Sequence, residues 1–517
     1  MSVAKIVLRN VAASWVGLAS QIIVTLLLTP FVIQRLGTEA YGLWLLLQSM
    51  VGYYGLVDMG LRAGLTQSIT RRIAAEDIDS VRRHIAAAVP LLSALGAVIL
   101  TGGTILAISL PHFVEMSDQL VDVIWTVVMV QAVGAAIKMP ITPYGAVLVG
   151  LQRYDIANAI SVVTRIIFAL ATWWALSIGG GLVAISVVLM LTNCLDSLIR
   201  VWSATKLLPG IRNCGLTLDR SELKEIGSVG IWNFLIGVSR QFIYFSDAIT
   251  VAILFSAKAV APYGIAASIV QYGTSLVVTS TKVLFPTMTR LSKQGDIGAL
   301  TGLYITATRM VLGLSLSMLI VGSAWIRPFL SLWLGDSEQS IQLVADVPAI
   351  FVMLSLAFMC VGIQRAGTQL LLAENKLKLV ACFLFAEALI NLVGSVIAGK
   401  LLGPIGIAIG TLIAAFIMGI GFHLPAHARL LKQSVPKLLI EIVWRPIVFG
   451  ILLSIVLFTL VGTLGQIASF AWLCTAGILS VSSIALFCPI LLSTNQLSDV
   501  RQRLRDFSRR RRSMIQS

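Results

Sequence analysis

Long apolar stretches recur along the chain, separated by short polar turns. A membrane-spanning helix needs about 20 consecutive apolar residues, so the pattern predicts an all-α, polytopic membrane fold. Fourteen candidate spans lie near 11–34, 41–68, 86–110, 121–149, 156–178, 182–205, 228–256, 259–288, 298–325, 341–371, 377–399, 404–430, 438–462 and 468–492. The longest polar connections, about 70–85 and 206–227, have room for a short surface helix but not for a catalytic fold. The first apolar run, from Val11 to Ile33, is too long for a signal core and has no small-residue cleavage site after it, so no cleavable signal peptide is expected.

Composition narrows the class. Of 517 residues, 57% are hydrophobic and 12% charged. Soluble proteins of this size carry about 25% charged residues, so a soluble enzyme, a coiled coil and a disordered chain are excluded. The excess of 38 Lys and Arg over 23 Asp and Glu could suggest nucleic acid. Its distribution argues otherwise. With the N-terminus inside and sides alternating, 26 cationic residues fall in cytoplasmic segments and only Arg35, Lys258, Arg327 and Lys400 fall opposite. That asymmetry is what the positive-inside rule demands, and it places both termini in the cytoplasm. The Arg509–Arg512 run suits anionic inner-leaflet lipid, and no nucleic-acid partner is expected. The six cysteines are scattered and read as small apolar residues, neither disulfide framework nor metal site.

The spans repeat. Leu36-Gly37-Thr38-Glu39-Ala40-Tyr41-Gly42 joins spans 1 and 2, and Ser256 to Gly264 joins spans 7 and 8; both close on Tyr-Gly. Span 4 ends in Gly150-Leu151-Gln152-Arg153 and span 10 in Leu372-Ala373-Glu374-Asn375-Lys376. Gly179-Gly180-Gly181 and Gly403-Pro404-Ile405-Gly406 turn spans 5–6 and 11–12. This predicts two related six-helix lobes, 1–206 and 228–432, joined by a linker at 207–227. Two further helices follow at 433–493, then a basic cytoplasmic tail at 494–517. An offset of six spans keeps both halves in one orientation, a parallel repeat with a cavity between halves.

Charges inside spans are costly and mark candidate sites. Counting about 1.5 Å per residue, Lys138, Arg165, Arg240 and Arg309 lie in the middle third of the membrane, with Lys282 and Arg365 closer to the cytoplasm. Asp247 and Glu387 are the anions at depth. Six cations suggest a water-filled positive cavity for an anionic group; the bland alternative is snorkelling or mutual pairing, with Asp247 two turns from Arg240. Asp58 with Arg62 and Asp196 with Arg200 are i,i+4 pairs. Asp58 reads either as an ion-coupling or gating group or as half of a local ion pair, and Asp196 as the latter. His423 and His427 have a spacing that can clamp a metal, but Pro425 intervenes and no carboxylate follows, so no metal is expected. No nucleotide-binding loop, Ser-His-Asp set or Cys-His set is found, so no catalytic residue and no enzyme activity are expected. Gly406-x3-Gly410 reads as a small-residue helix contact.

The run from Leu28-Thr29-Pro30 through Gly42-Leu43-Trp44, followed by Gly55-Leu56-Val57-Asp58-Met59-Gly60-Leu61, resembles the opening of Wzx-type polysaccharide repeat-unit flippases. These belong to the multidrug/oligosaccharidyl-lipid/polysaccharide exporter superfamily. Gly150-Leu151-Gln152-Arg153, Asp247 with the Tyr263-Gly264 turn, and Gly403-Pro404-Ile405-Gly406-Ile407-Ala408 extend the likeness. The resemblance implies alternating access and a polyprenyl-pyrophosphate-linked oligosaccharide as cargo, in a bacterial cytoplasmic (inner) membrane. By role, Lys138, Arg165, Arg240 and Arg365 would meet the pyrophosphate, with Lys282 and Arg309 as further substrate-binding cations. Asp58, Arg62, Asp247 and Glu387 would serve ion coupling or a gate. Helices 13 and 14 would border a groove for the lipid tail. No cofactor is implied; a proton or sodium gradient and the membrane potential are the implied drivers. Implied partners are membrane lipids and the polymerase and chain-length machinery of a lipopolysaccharide or exopolysaccharide pathway. Two relatives within the superfamily are alternatives. A multidrug/cation antiporter typically has 12 spans and an acidic residue in span 1, where this chain has none. A peptidoglycan lipid-precursor flippase would carry arginines in the first two spans, where Arg62 alone fits.

Overall fold

In a computed structural model, the apolar stretches form helices that run in chain order as α1 (Val3–Leu36), α2 (Thr38–Tyr54), α3 (Met59–Ala74), α4 (Ile78–Phe113), α5 (Asp118–Lys138), α6 (Thr142–Gly150), α7 (Tyr154–Ser177), α8 (Leu182–Leu207), α9 (Ile231–Leu254), α10 (Ala257–Lys282), α11 (Leu284–Lys293), α12 (Ile297–Leu334), α13 (Glu338–Ala373), α14 (Leu377–Leu402), α15 (Pro404–Phe416), α16 (Leu424–Leu430), α17 (Val435–Leu464) and α18 (Phe470–Phe487). The structure describes residues 3–54, 59–211, 215, 217, 219, 222, 231–282, 284–464 and 469–492. The all-α polytopic fold expected from hydropathy is the fold found.

Among the described residues, eleven helices are long and apolar enough to cross a membrane. The other three expected spans, near 41–68, 228–256 and 259–288, fall on α2 with α3, on α9 and on α10. These helices carry the polar load: Arg240 and Asp247 in α9, and Gln271, Thr274, Ser275 and Thr281 in α10. A polar helix at membrane depth must turn that face to protein or water.

By its contacts the chain divides into two compact units, Met1–Gly264 and Ile265–Ser517. The division falls inside α10 rather than in the 207–227 connection, because α9 packs on α2 and α3. The first unit's core gathers Ile69, Val81, Ile85, Leu92, Val147, Leu148 and Ile211. The second unit's core gathers Met288, Tyr304, Ile363, Leu370, Leu424 and Ile442. Outward faces are apolar too; Leu27 is 74% and Phe458 82% exposed, as lipid-facing side chains are.

The same succession of turns occurs twice. Glu76 (φ 57°) and Gly295 (φ 70°) each adopt the left-handed region, and each precedes an aspartate that caps the next helix. Asp77 accepts from the Ser80 amide at 2.8 Å, and Asp296 from the Ala299 amide at 2.9 Å. Ser117 and Ser337 open the following helices with nearly identical extended backbone (φ −64°, ψ 150° and φ −67°, ψ 152°). Gln152 (φ 55°) and Asn375 (φ 61°) then follow the ends of α6 and α13. The internal repeat read from the Gly150–Arg153 and Leu372–Lys376 segments is thus repeated in backbone conformation.

Within the first unit, the two Tyr-Gly turns meet. A Cβ on Gly42 would lie 2.0 Å from the Ala257 carbonyl oxygen, and one on Gly264 would lie 2.6 Å from Leu45 Cδ1. Only glycine allows so close an approach. The Ala257 amide also donates to the Glu115 carbonyl at 3.1 Å, and the Ser117 amide to Glu39 Oε1 at 2.6 Å. In the second unit Gly406 and Gly410 form the predicted helix contact: a Cβ at either would come within 2.0 Å and 2.4 Å of α14 backbone at Ala398 and Ser395.

Candidate functional site

The fourth span is broken where its cation sits. Lys138 ends α5, and Met139–Ile141 form a single 3-10 turn before α6. Pro140 and Pro143 cause the break, since each removes a backbone donor and crowds the preceding turn. A mid-span interruption is where a helix bends, and the exposed Lys138 side chain stands at that bend.

Arg165 reaches across to α1. Its guanidinium donates to the Gly17 carbonyl at 2.9 Å and to Ser20 Oγ at 2.8 Å. These charge-assisted bonds tie α7 to α1. The Asp196–Arg200 pair closes at 2.7 Å as its spacing suggests, and Arg200 also donates to Ser161 Oγ at 2.7 Å, tying α8 to α7. Asp247 is buried on α9 and accepts from Tyr263 Oη at 2.7 Å. The structure thereby joins the aspartate to the Tyr-Gly turn that the sequence had linked to it only by resemblance. Arg240 lies half-buried two turns earlier on the same helix. Asp58 lies outside the described residues, as do the side chains of Arg62 and Lys282.

In the second unit Arg309 is buried, and its Nε donates to the Glu441 carbonyl at 2.8 Å, tying α12 to α17. One turn further on α17, Arg445 donates to the carbonyls of Ile490 and Leu492 and so holds the short turn that follows α18. Arg445 escaped the sequence reading because it sits near the start of a long apolar run. Arg365 and Glu387 do come together. Glu387 is 3% exposed; its Oε1 accepts from Gln364 Nε2 at 3.3 Å, and Arg365, next to Gln364 on α13, acts electrostatically on it. Arg365 acts on His423 as well. His423 and His427 are fully buried with ring centroids 5.6 Å apart. Among the described residues no group of three ligands suits a metal ion.

A further cluster fell outside the sequence reading. Glu222, in the 206–227 connection, accepts from Arg72 Nη1 at 2.7 Å, and its Oε2 lies 2.7 Å from Nδ1 of the fully buried His84. The Thr217 amide donates to the Ala86 carbonyl. The connection is therefore fastened to the first unit at two points. No periodic signal links residues so far apart in the chain.

Taken together, the described residues form an all-helical polytopic membrane protein whose intramembrane charges are held by specific neighbours. Residues 7–292 match the family model "Polysaccharide biosynthesis protein". That is more than half of the chain, and the chain belongs to this family. It is 23% identical over 358 residues to the "Uncharacterized membrane protein EpsK" of Bacillus subtilis (strain 168), a match over 68% of this chain and 70% of that one. The fold is similar to that of the lipid II flippase MurJ in an inward closed conformation (TM-score 0.67, 12% identity, 93% of this chain and 98% of that one). It is also similar to that of an inward-facing multidrug resistance MATE family transporter of the MOP superfamily (TM-score 0.66, 18% identity, 79% of this chain and 95% of that one). At these identities the likeness to the two solved structures is one of fold.

Proposed function

We propose that the protein is a flippase that carries a polyprenyl-pyrophosphate-linked oligosaccharide repeat unit from the inner to the outer leaflet of a bacterial cytoplasmic membrane. Membership of the polysaccharide biosynthesis family is the observation that carries this reading. Support comes from the repeated succession of turns, which suits two related six-helix halves working by alternating access. It comes also from Lys138, Arg240 and Arg365, cations on membrane helices with side chains that are exposed or half-buried. In the proposed cycle these cations offset the desolvation of the pyrophosphate while the polyprenyl tail stays in lipid. Arg165 and Arg309 serve more as ties between helices. The cytoplasmic termini follow from the distribution of cations.

The head group carries about two negative charges. Moving one charge through 100 mV is worth about 2.3 kcal/mol, so a cell-negative potential contributes roughly 4–5 kcal/mol to outward movement. In cells relying on this chain, Lys138→Ala, Arg240→Ala and Arg365→Ala should each abolish polymer export at normal protein levels. Arg→Lys is only partly tolerated, because an ammonium cannot make the bidentate phosphate contact. Normal export by all three alanine variants would refute the cationic path.

A further inference from the structure

Helix α10 is amphipathic the wrong way round for a helix that faces lipid. Ala266, Val270, Gly273 and Val277 recur at helical spacing along one face. Ala266, Val270 and Val277 are buried, and a Cβ on Gly273 would fall 2.2 Å from Met318 Sδ of α12. That face is packed on protein. Ser268, Gln271 and Ser275 recur at the same spacing about half a turn away. Gln271 is exposed, and Ser268 and Ser275 are half-buried. Among the described residues no large apolar side chain of α10 is exposed.

Gln271 stands near the middle of α10, about 15–20 Å from either end at about 1.5 Å per residue. Its carboxamide and the Ser268 hydroxyl have no hydrogen-bond partner among the described residues. Ser275 Oγ donates to the Gln271 carbonyl at 2.9 Å in an exposed position. A carboxamide at that depth is too short to reach the membrane surface, and it cannot face hydrocarbon without a partner. The exposed side of α10 is therefore turned to water.

The chemistry of the stripe narrows what that water can hold. Ser268, Gln271 and Ser275 carry no charge. A carboxamide offers an acceptor and two donors, and a serine hydroxyl offers both roles. A phosphate would need a cation on this face, a cationic solute an acidic side chain, and an acyl chain a run of apolar atoms. What fits is a neutral solute rich in hydroxyl groups, and the oligosaccharide of the cargo proposed above is one. In the sequence Lys282, one of the candidate cations for the pyrophosphate, follows Ser275 by seven residues, roughly 10 Å along a helix.

We propose that Ser268, Gln271 and Ser275 form a saccharide-recognising stripe in the second unit, which hydrogen-bonds hydroxyl or acetamido groups of the oligosaccharide while cations elsewhere hold its pyrophosphate. Gln271 is the discriminating member. A group placed to hydrogen-bond a hydroxyl rejects a solute that lacks it, because the polar atom is then left unpaired. The choice of saccharide rests on the flippase reading; the water-facing stripe does not.

The test uses the full chain in proteoliposomes, with Ser268→Cys, Gln271→Cys and Ser275→Cys made one at a time and the parent chain giving the background of its own cysteines. The probe is a charged, membrane-impermeant methanethiosulfonate. It reacts with thiolate, which forms in water and not in hydrocarbon, so each of the three should be labelled about tenfold faster than Phe458→Cys on a lipid-facing position or Val270→Cys on the packed face. Labelling no faster than at those two controls would overturn the proposal. At Gln271→Cys, a polyprenyl pyrophosphate bearing its oligosaccharide should slow labelling about tenfold near saturation, and sugar-free polyprenyl pyrophosphate should not. Equal protection by both lipids, or by neither, would overturn the assignment to sugar. Gln271→Ala should raise the half-saturating concentration of the saccharide lipid about three- to tenfold and leave binding of the sugar-free lipid unchanged; equal weakening of both would make Gln271 structural. Proteoliposomes that move the saccharide lipid while it protects none of the three positions would sink the stripe and leave the flippase reading standing. A saccharide lipid that is neither moved nor bound would sink both.

Discussion

The contact between the two Tyr-Gly turns can be tested with one methyl group. In Gly42→Ala the new Cβ would stand 2.0 Å from the Ala257 carbonyl oxygen, 3.1 Å from its carbonyl carbon and 3.2 Å from the Ala261 amide nitrogen. All three obstacles are backbone, so no rotamer change relieves them, and α2 must draw back from α10 by about 1 Å. Overpacking of this kind costs about 1–3 kcal/mol. Alanine also gains up to about 1 kcal/mol of helix propensity over glycine, which would mask part of the effect. Gly102→Ala supplies the control, since nothing lies within 4 Å of a Cβ there. Both variants share the propensity gain, and their difference isolates the clash. At roughly 2–4 °C per kcal/mol for a unit of this size, Gly42→Ala should lose its size-exclusion peak about 2–12 °C below Gly102→Ala on heating in detergent. Equal thermal stability of the two would refute the close approach and the reason given for glycine at both turns.

Arg165→Ala removes two bonds from α7 to α1. At about 1.5–3 kcal/mol for a hydrogen bond to a charged group, it should cut thermal stability and protein level. Arg165→Lys should recover part of both; an alanine variant of normal stability that fails to export would instead make Arg165 a substrate contact. Glu222→Gln leaves Arg72 and His84 with a neutral partner, at a cost of about 1 kcal/mol or more. The 206–227 connection should then be cut about fivefold faster in limited proteolysis; an unchanged rate would mean that Glu222 does not hold it down.

Local features of the chain were legible, and distant partnerships were not. Apolar length set the spans, and small-residue runs such as Gly403-Pro404-Ile405-Gly406 set the turns. The Asp-Ile pairs at Asp77-Ile78 and Asp296-Ile297 went unread as a sign of the repeat; the structure shows that each aspartate caps its helix and follows a left-handed residue. What composition could not give was the destination of a charge. Arg165 and Arg309 fit a cation-lined cavity by depth alone, yet each is held by the backbone of a neighbouring helix. The histidine spacing suggested a metal clamp lacking a carboxylate; the carboxylate that shares Arg365 with His423, Glu387, comes from a different helix. The π-helical turn over Ile417–His423 depends on how α13 and α14 pack around it, and a propensity scale has no entry for that.

The two kinds of contact also differ in when they can form during synthesis. The turn at Glu76 closes on itself: its amide bonds reach back only to Ile73 and Arg72, and the capping aspartate reaches forward only to Ser80. Helix ends of this kind are settled as soon as a few residues have left the ribosome. Arg72 is different, because its carboxylate partner lies 150 residues further along the chain. At about 5–20 residues per second, Glu222 is made roughly 8–30 s after Arg72. Through that interval the turn at Glu76 is already set while the clasp between Arg72 and Glu222 is still open. Synthesis thus passes through a stage in which Arg72 and His84 are already in place while the carboxylate that joins them has yet to be made.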